Sequence, residues 1–191
     1  MNPVFLRRRC IGSGPAGSTW ILSRLVLDRS VPLAGNAAVD YLIPMARRER
    51  SAGVILFQNK KQRRYLLLDY GRYWDFPKGH VEKGETDLQA ALRELREETD
   101  VVDVRVVPGF AHQIRYFFRK NAALIDKIVV FFLAQTSSTK VRLSREHVGF
   151  EFLPFQKALR RLSYANAKAL LRLAEEYLLR QTGARRRVDA T

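Results

Sequence analysis

The chain has 191 residues, 47% of them hydrophobic and 28% charged, which excludes wholesale disorder and leaves room for one ordinary domain with an appendage. A single cysteine, Cys10, excludes an internal disulfide and a cysteine-rich metal centre. Lys and Arg number 34 against 19 Asp and Glu, a net charge of +15 that suits nucleotides, nucleic acid or an anionic membrane, or reflects a solubility bias and basic tails.

Residues 1–44 hold five Arg, no Lys and two acids, Asp28 and Asp40, and are interrupted by Pro3, Pro15, Pro32 and Pro44. Three readings stand: a start placed upstream of Met45, an Arg-containing and acid-poor targeting segment, or an ordered extension. A secretory signal is disfavoured because Arg24 and Asp28 break up Trp20–Leu27. The first 50 residues are expected to be a poorly ordered extension. A chain beginning at Met45 is expected to fold and stay fully active, which solubility and turnover of the truncated protein check. Gly12, Gly14 and Gly17 match G-x-G-x-x-G, but Arg7–Arg9 precede them and Pro32 stands where a ribose-binding acid belongs. The pattern therefore reads as a Gly/Ser-rich loop, not a dinucleotide site.

From Ser51 the signals sharpen. Gly53–Phe57 and Tyr65–Leu68 are apolar runs around a polar turn and read as a hairpin. Trp74–Phe76 is extended, since Pro77 biases Phe76 away from helix. Thr86 and Gln89 form a capping box that opens a helix, and Leu88, Ala91, Leu92 and Leu95 give it an apolar face. Val101–Val107, Phe110–Phe118 and Lys127–Gln135 are strand candidates, with Ile128–Leu133 buried on two sides. The last of these runs is too short to span a bilayer, which takes about 20 residues. Phe150–Leu153 is a final strand, and Phe155–Leu162 and Ala165–Leu179 are helices, the second stopped by Gly183. Residues 51–182 make the domain and 183–191 a basic tail. The expected fold class is α/β (α+β), a mixed sheet covered on two faces.

The strongest feature lies on the first helix. Glu94, Glu97 and Glu98 fall at i, i+3 and i+4, on one helix edge. Clustered carboxylates repel one another, and hard oxygen ligands at this spacing suit Mg2+ or Mn2+ together with substrate phosphates. Arg93 reaches Glu97 at i+4, and Gly79 and Gly84 bracket a turn where backbone approaches metal or phosphate. The alternative is a solvated charged face balanced by Arg93 and Arg96.

The stretch Gly79 to Val101 resembles the signature of the Nudix hydrolases, G-x5-E-x7-R-E-U-x-E-E-x-G-U, through Gly79, Glu85, Arg93, Glu94, Leu95, Glu97, Glu98 and Val101. Asp100 replaces the signature glycine. The resemblance implies an α/β/α sandwich with a catalytic loop-helix-loop and metal-dependent cleavage of a nucleoside diphosphate linked to a further group. It implies that Glu94, Glu98 and the Gly79 backbone serve the metal, that Glu97 is a further ligand or the base, and that Glu85 supports the loop.

Residues 51–180 further resemble the asymmetrical diadenosine tetraphosphate hydrolases. Trp74 to Glu82 is similar to their W-x-x-P-K-G-H-V-E segment, and Arg142 to His147 to their R-L-S-x-E-H segment. This implies that Glu146 completes the metal site, that Lys78, His80 and Lys127 meet the polyphosphate, and that Tyr116 and Tyr164 hold an adenine. Tyr65 and Trp74 are expected in the core. The implied reaction yields AMP and ATP. An RNA 5′-pyrophosphohydrolase, a housecleaning nucleotidase and a non-catalytic nucleotide- or RNA-binding module are the alternatives. The expected protein is a monomer that does not engage membrane. It is expected in the cytoplasm, with mitochondrial targeting by the N-terminal segment as the alternative.

Overall fold

The structure is a computed structural model that describes residues 46–138 and 140–188. The N-terminal segment, the glycine pattern at 12–17 and Cys10 lie outside the described residues. The chain divides into two compact units, Ser51–His112 with Val130–Thr191, and Met1–Arg50 with Gln113–Val129.

The larger unit is built on a sheet. In chain order the elements are β1 (Arg47–Asn59), β2 (Arg63–Asp69), β3 (Trp74–Asp75), β4 (Lys78–His80), α1 (Asp87–Thr99), β5 (Arg105–Lys120), β6 (Ala123–Gln135), β7 (Gly149–Pro154), α2 (Phe155–Arg161) and α3 (Ala165–Val188). The strand order is β3-β2-β1-β6-β5, with β4 added to β1 and β7 to β2, seven strands in all. β1 and β2 pair antiparallel with Phe57 opposite Tyr65, and β7 pairs antiparallel with β2 from Arg64–Pro154 to Asp69–Gly149.

Alternation along the strands decides which helix covers which face. Val54, Leu56, Leu66 and Leu68 pack with Ala90, Ala91 and Leu95 of α1 in one buried cluster. Each fully buried Leu of this kind contributes about 1.5–3 kcal/mol. The intervening residues face the other way. Tyr65 sits 6.5 Å from the Phe155 ring of α2 and donates its hydroxyl to Glu175 of α3. The sheet is thus enclosed by α1 on one side and by α2 and α3 on the other, as the sequence pattern predicts.

Element boundaries differ from the sequence reading: β1 begins at Arg47 instead of Gly53, β6 begins at Ala123 instead of Lys127, and three further changes concern the loop after α1, β5 and α3. Residues 101–104 form a loop, not a strand, and the strand starts at Arg105. Val101 is spent on the core beneath α1, where it is 2% exposed. The two predicted strands at 101–107 and 110–118 become one strand of 16 residues. Helix α3 continues past Gly183 to Val188, since an interior glycine costs a helix only about 1 kcal/mol and does not by itself end it.

The smaller unit is described separately. Among its described residues it joins the start of β1 to the end of β5 and the start of β6, which are linked by a turn at Asn121 and Ala122 with φ of 48° and 65°. Arg115 donates to both carboxylate oxygens of buried Asp126, at 2.7 and 2.6 Å. Lys127 Nζ lies 3.7 Å from Glu49.

Candidate active site

Helix α1 starts where the sequence requires. Thr86 accepts from Gln89 N–H at 3.3 Å, and Gln89 Oε1 accepts from Thr86 N–H at 2.9 Å. The helix ends at Asp100, which adopts the left-handed conformation with φ 58° and donates its N–H to Arg96. Asp therefore fills the backbone role of the signature glycine, because its short polar side chain tolerates that region. Its carboxylate lies 3.2 Å from Arg142.

Arg93 organises the near end of the site. Its Nε and Nη2 donate to the two Glu85 oxygens at 2.8 and 2.9 Å. Nη1 donates to Glu94 at 2.9 Å and to Glu97 at 3.0 Å, and Nη2 also reaches the His80 carbonyl at 2.9 Å. Glu85 in turn accepts the Glu82 N–H at 3.0 Å. The loop before the helix is therefore tied to the helix through one planar guanidinium, whose fork geometry a lysine cannot reproduce.

These bonds, led by the hydrogen bond from Arg93, pull the Glu85 carboxyl down to about 2 from its ordinary 4.5. A depressed carboxylate stabilises the folded form above its unfolded pKa. That contribution is expected to be complete above pH 4.5 and to disappear as pH falls toward about 2. Chemical denaturation of wild type and Glu85→Gln across this range checks it. The two midpoints should converge at the acid end, and parallel curves would contradict the assignment.

Glu94 is held against Gly79 of β4. A Cβ at Gly79 would lie 1.8 Å from Glu94 Cδ and 2.0 Å from either carboxylate oxygen. Burial raises the Glu94 pKa, Arg93 works against that rise, and Glu98 and Glu97 add to it.

Glu98 has a different environment from its neighbours. It is 5% exposed. Oε2 accepts the Lys78 N–H at 3.0 Å, and Oε1 accepts the Tyr70 hydroxyl at 3.2 Å. His147 Nε2 lies 3.0 Å from Oε1, off the line of an N–H, so the ring makes an electrostatic contact without an aligned hydrogen bond. The segment before β7 is fastened to the end of α1 by Arg142 N–H to Thr99 O at 3.0 Å and Ser144 N–H to Glu98 O at 3.1 Å. That docking carries His147 inward. Glu146 is exposed beside it, with its N–H 3.4 Å from Ser144 Oγ.

An aromatic group adjoins Glu98. Tyr70 and Tyr73 flank a two-residue turn with Gly71 at φ 80°, and their rings stack at 4.7 Å and 12°. Lys78 Nζ lies 4.5 Å from the Tyr70 ring and 3.0 Å from Asp75. Tyr164, at the start of α3, lies 5.3 Å from Tyr73. Ser163 brings it there: Trp74 N–H donates to Ser163 Oγ at 2.9 Å and Ser163 N–H to Trp74 O at 3.2 Å. Burial raises the pKa of both Tyr73 and Tyr164, so both rings are neutral at neutral pH.

The larger unit thus brings together Lys78, Gly79, the His80 backbone, Arg93, Glu94, Glu97 and Glu98 around α1, with Tyr164 on the aromatic group. Tyr116 and Lys127 belong to the smaller unit, where Tyr116 lies 6.0 Å from Phe118. Tyr65 is fully buried, as expected, while Trp74 is half-buried with Arg161 4.6 Å over its ring. The sequence reading passed over Tyr70, Tyr73 and the buried contact of His147. The signal for the tyrosines was a glycine-containing two-residue connection, which sets the residues on either side of it face to face.

The donor chemistry fits a hard divalent cation. Glu85, Glu94 and Glu97 share the single charge of Arg93, and Glu98 adds a fourth carboxylate. The oxygen-only donor set and its excess negative charge suit Mg2+ or Mn2+. Among the described residues no three His, Cys, Asp or Glu side chains converge on one metal-sized point. A cation here would be held by fewer protein ligands together with water and phosphate, as Mg2+ commonly is.

Comparison with known proteins agrees with this geometry. The NUDIX domain profile matches residues 47–173. The mouse protein named bis(5′-nucleosyl)-tetraphosphatase [asymmetrical] is 32% identical over 143 residues, spanning 68% of this chain and 95% of that one. The Caenorhabditis elegans protein of the same name is 28% identical over 135 residues, spanning 68% and 96%. A crystal structure of a C. elegans Ap4A hydrolase binary complex superposes with a TM-score of 0.62 at 27% identity, covering 69% of this chain and 98% of that one. With the profile spanning most of its length and the signature acids gathered on one capped helix, the chain belongs to the NUDIX domain family and is a Nudix pyrophosphohydrolase.

Proposed function

We propose that the protein hydrolyses a dinucleoside polyphosphate, diadenosine tetraphosphate, to AMP and ATP with Mg2+ or Mn2+. The observation that carries this reading is the aromatic group of Tyr70, Tyr73 and Tyr164 joined to the catalytic helix through Tyr70 and Glu98. Bases stack on such rings with about 1–3 kcal/mol each. A base anchored there leaves the phosphates to Lys78 and the carboxylate edge, so that distance along the chain selects the bridge that is cut.

When bound, the divalent ion neutralises phosphate oxygens and lowers the pKa of water. The chain's own residues do the rest. Glu85 and Arg93 hold the loop. Gly79 leaves room for Glu94. The Lys78 N–H and Tyr70 hydroxyl orient Glu98. One water is consumed: its oxygen forms a new P–O bond, one P–O–P bridge breaks, the leaving phosphate oxygen keeps the electron pair, and the proton the water loses passes to that oxygen or to solvent.

Product chromatography tests the reading. AMP and ATP in equal amounts from diadenosine tetraphosphate support it. Two ADP, or no turnover of the dinucleotide alongside pyrophosphate release from triphosphorylated RNA, would replace it with another Nudix activity. Tyr73→Ala and Tyr164→Ala should each raise KM roughly tenfold, with kcat falling as well where stacking sets the register. Tyr116→Ala, made alongside, tests the second aromatic that the family resemblance implies. A KM unmoved in both Tyr73 and Tyr164 variants would remove these rings from the substrate site.

A further inference from the structure

The smaller unit carries a surface that the hydrolytic reading does not use. Its described residues, 46–50 with 113–129, contain Arg47, Arg48, Arg50, Arg115, Arg119, Lys120 and Lys127 against Glu49 and Asp126, a net charge of +5. Both acids have cationic partners within the unit, Asp126 on Arg115 at 2.6 Å and Glu49 on Lys127 at 3.7 Å. Arg47, Arg48, Arg50, Arg119 and Lys120 are exposed.

Strand alternation sorts these residues onto faces. Asp126 and Lys127 are neighbours on β6 and therefore point to opposite faces. Arg115 lies with Asp126, and Glu49 with Lys127. Stepping by two from Arg115 places Phe117 and Arg119 on the same face, and stepping by one from Glu49 places Arg48 and Arg50 there. The Arg115 guanidinium lies 5.2 Å over the Phe117 ring. One face thus presents arginines from β1 and β5 around a half-buried aromatic ring.

We propose that this face binds single-stranded nucleic acid along its phosphate backbone, without sequence preference and independently of hydrolysis. Guanidinium groups match phosphate in a bidentate fork and stack on bases. An anionic membrane is the weaker fit, because a membrane-seated surface exposes apolar side chains. The exposed large apolar residues of the described chain, Val102, Val148, Phe150, Leu173 and Leu179, all lie outside this unit.

The test is fluorescence anisotropy of a labelled single-stranded RNA with a 5′-hydroxyl, which offers the hydrolytic site no pyrophosphate to cut. Its outcome is therefore separate from that of the proposed reaction. The full chain should bind, with affinity falling as salt rises. Reversing Arg48, Arg50 and Arg119 together to Glu should weaken binding at least ~tenfold, and changing them to Gln should flatten the log–log salt slope by about 2, at ~0.7 per cation. The Gln variant carries the test if the Glu variant fails to fold. Reversing Lys60, Lys61 and Arg64, exposed cations of the larger unit, should cost under ~threefold. No binding at low salt, an equal loss in the control variant, or binding to phosphatidylglycerol vesicles without binding to RNA would each overturn the proposal.

Discussion

Glu98→Gln is expected to lower kcat by about a thousandfold, ~4 kcal/mol of transition-state stabilisation, while the protein stays folded. The structure explains why the two effects separate. Glu98 is buried, so losing its carboxylate outright would orphan the Lys78 N–H and leave the Tyr70 hydroxyl with the Phe76 carbonyl alone, at about 1–3 kcal/mol for a buried group left unpaired. A glutamine turns its carbonyl toward the Lys78 N–H and presents its NH2 to Tyr70, whose hydroxyl also accepts. What disappears is the negative charge. Steady-state kinetics with saturating Mg2+ and a thermal melt on the same preparation check both halves. Near-normal turnover would remove Glu98 from the catalytic residues. A collapsed Tm would show that its charge serves the fold.

Gly79→Ala is expected to lower kcat by about a hundredfold through a residue with no side chain of its own. The new Cβ would stand 2.0 Å or less from the Glu94 carboxylate, far inside any real contact. Either Glu94 swings away, breaking its 2.9 Å bond to Arg93, or β4 shifts from β1, where Gly79 pairs with Ala52. Mn2+ affinity, read from the electron spin resonance of the free ion, should fall with kcat if Glu94 is displaced. Unchanged kcat and unchanged Mn2+ binding would show that Glu94 finds a second productive rotamer. Gly84 offers a contrast. Nothing lies within 4 Å of its would-be Cβ, and its φ of 89° is the whole demand, so Gly84→Ala strains the loop backbone and leaves Glu94 in place.

Much of this protein was determined within short stretches of sequence. The capping box at Thr86 and Gln89, the apolar spacing of Ala91 and Leu95, and the left-handed tolerance of Asp100 are local properties, and the helix forms where they place it. The carboxylate edge follows, because i, i+3 and i+4 share a helix edge in any α-helix. Gly53–Phe57 and Tyr65–Leu68 were likewise legible as strands, but both runs are apolar throughout, so the residues facing α1 and those facing α2 and α3 were sorted only by the structure. Only the tertiary structure decided what surrounds those carboxylates. The three glutamates read alike in sequence, yet Glu97 is exposed, Glu94 rests on a glycine 15 positions before it, and Glu98 is buried beneath Tyr70. The partners lie far off along the chain: Tyr70 is 28 residues from Glu98, and the bond that seats Tyr164 beside Tyr73 joins residues 89 apart. Periodicity and capping act over one or two helical turns, so they decide which elements form. Burial and hydrogen-bond partners depend on which elements meet, and that is settled only when the whole sheet and its helices close around a common core.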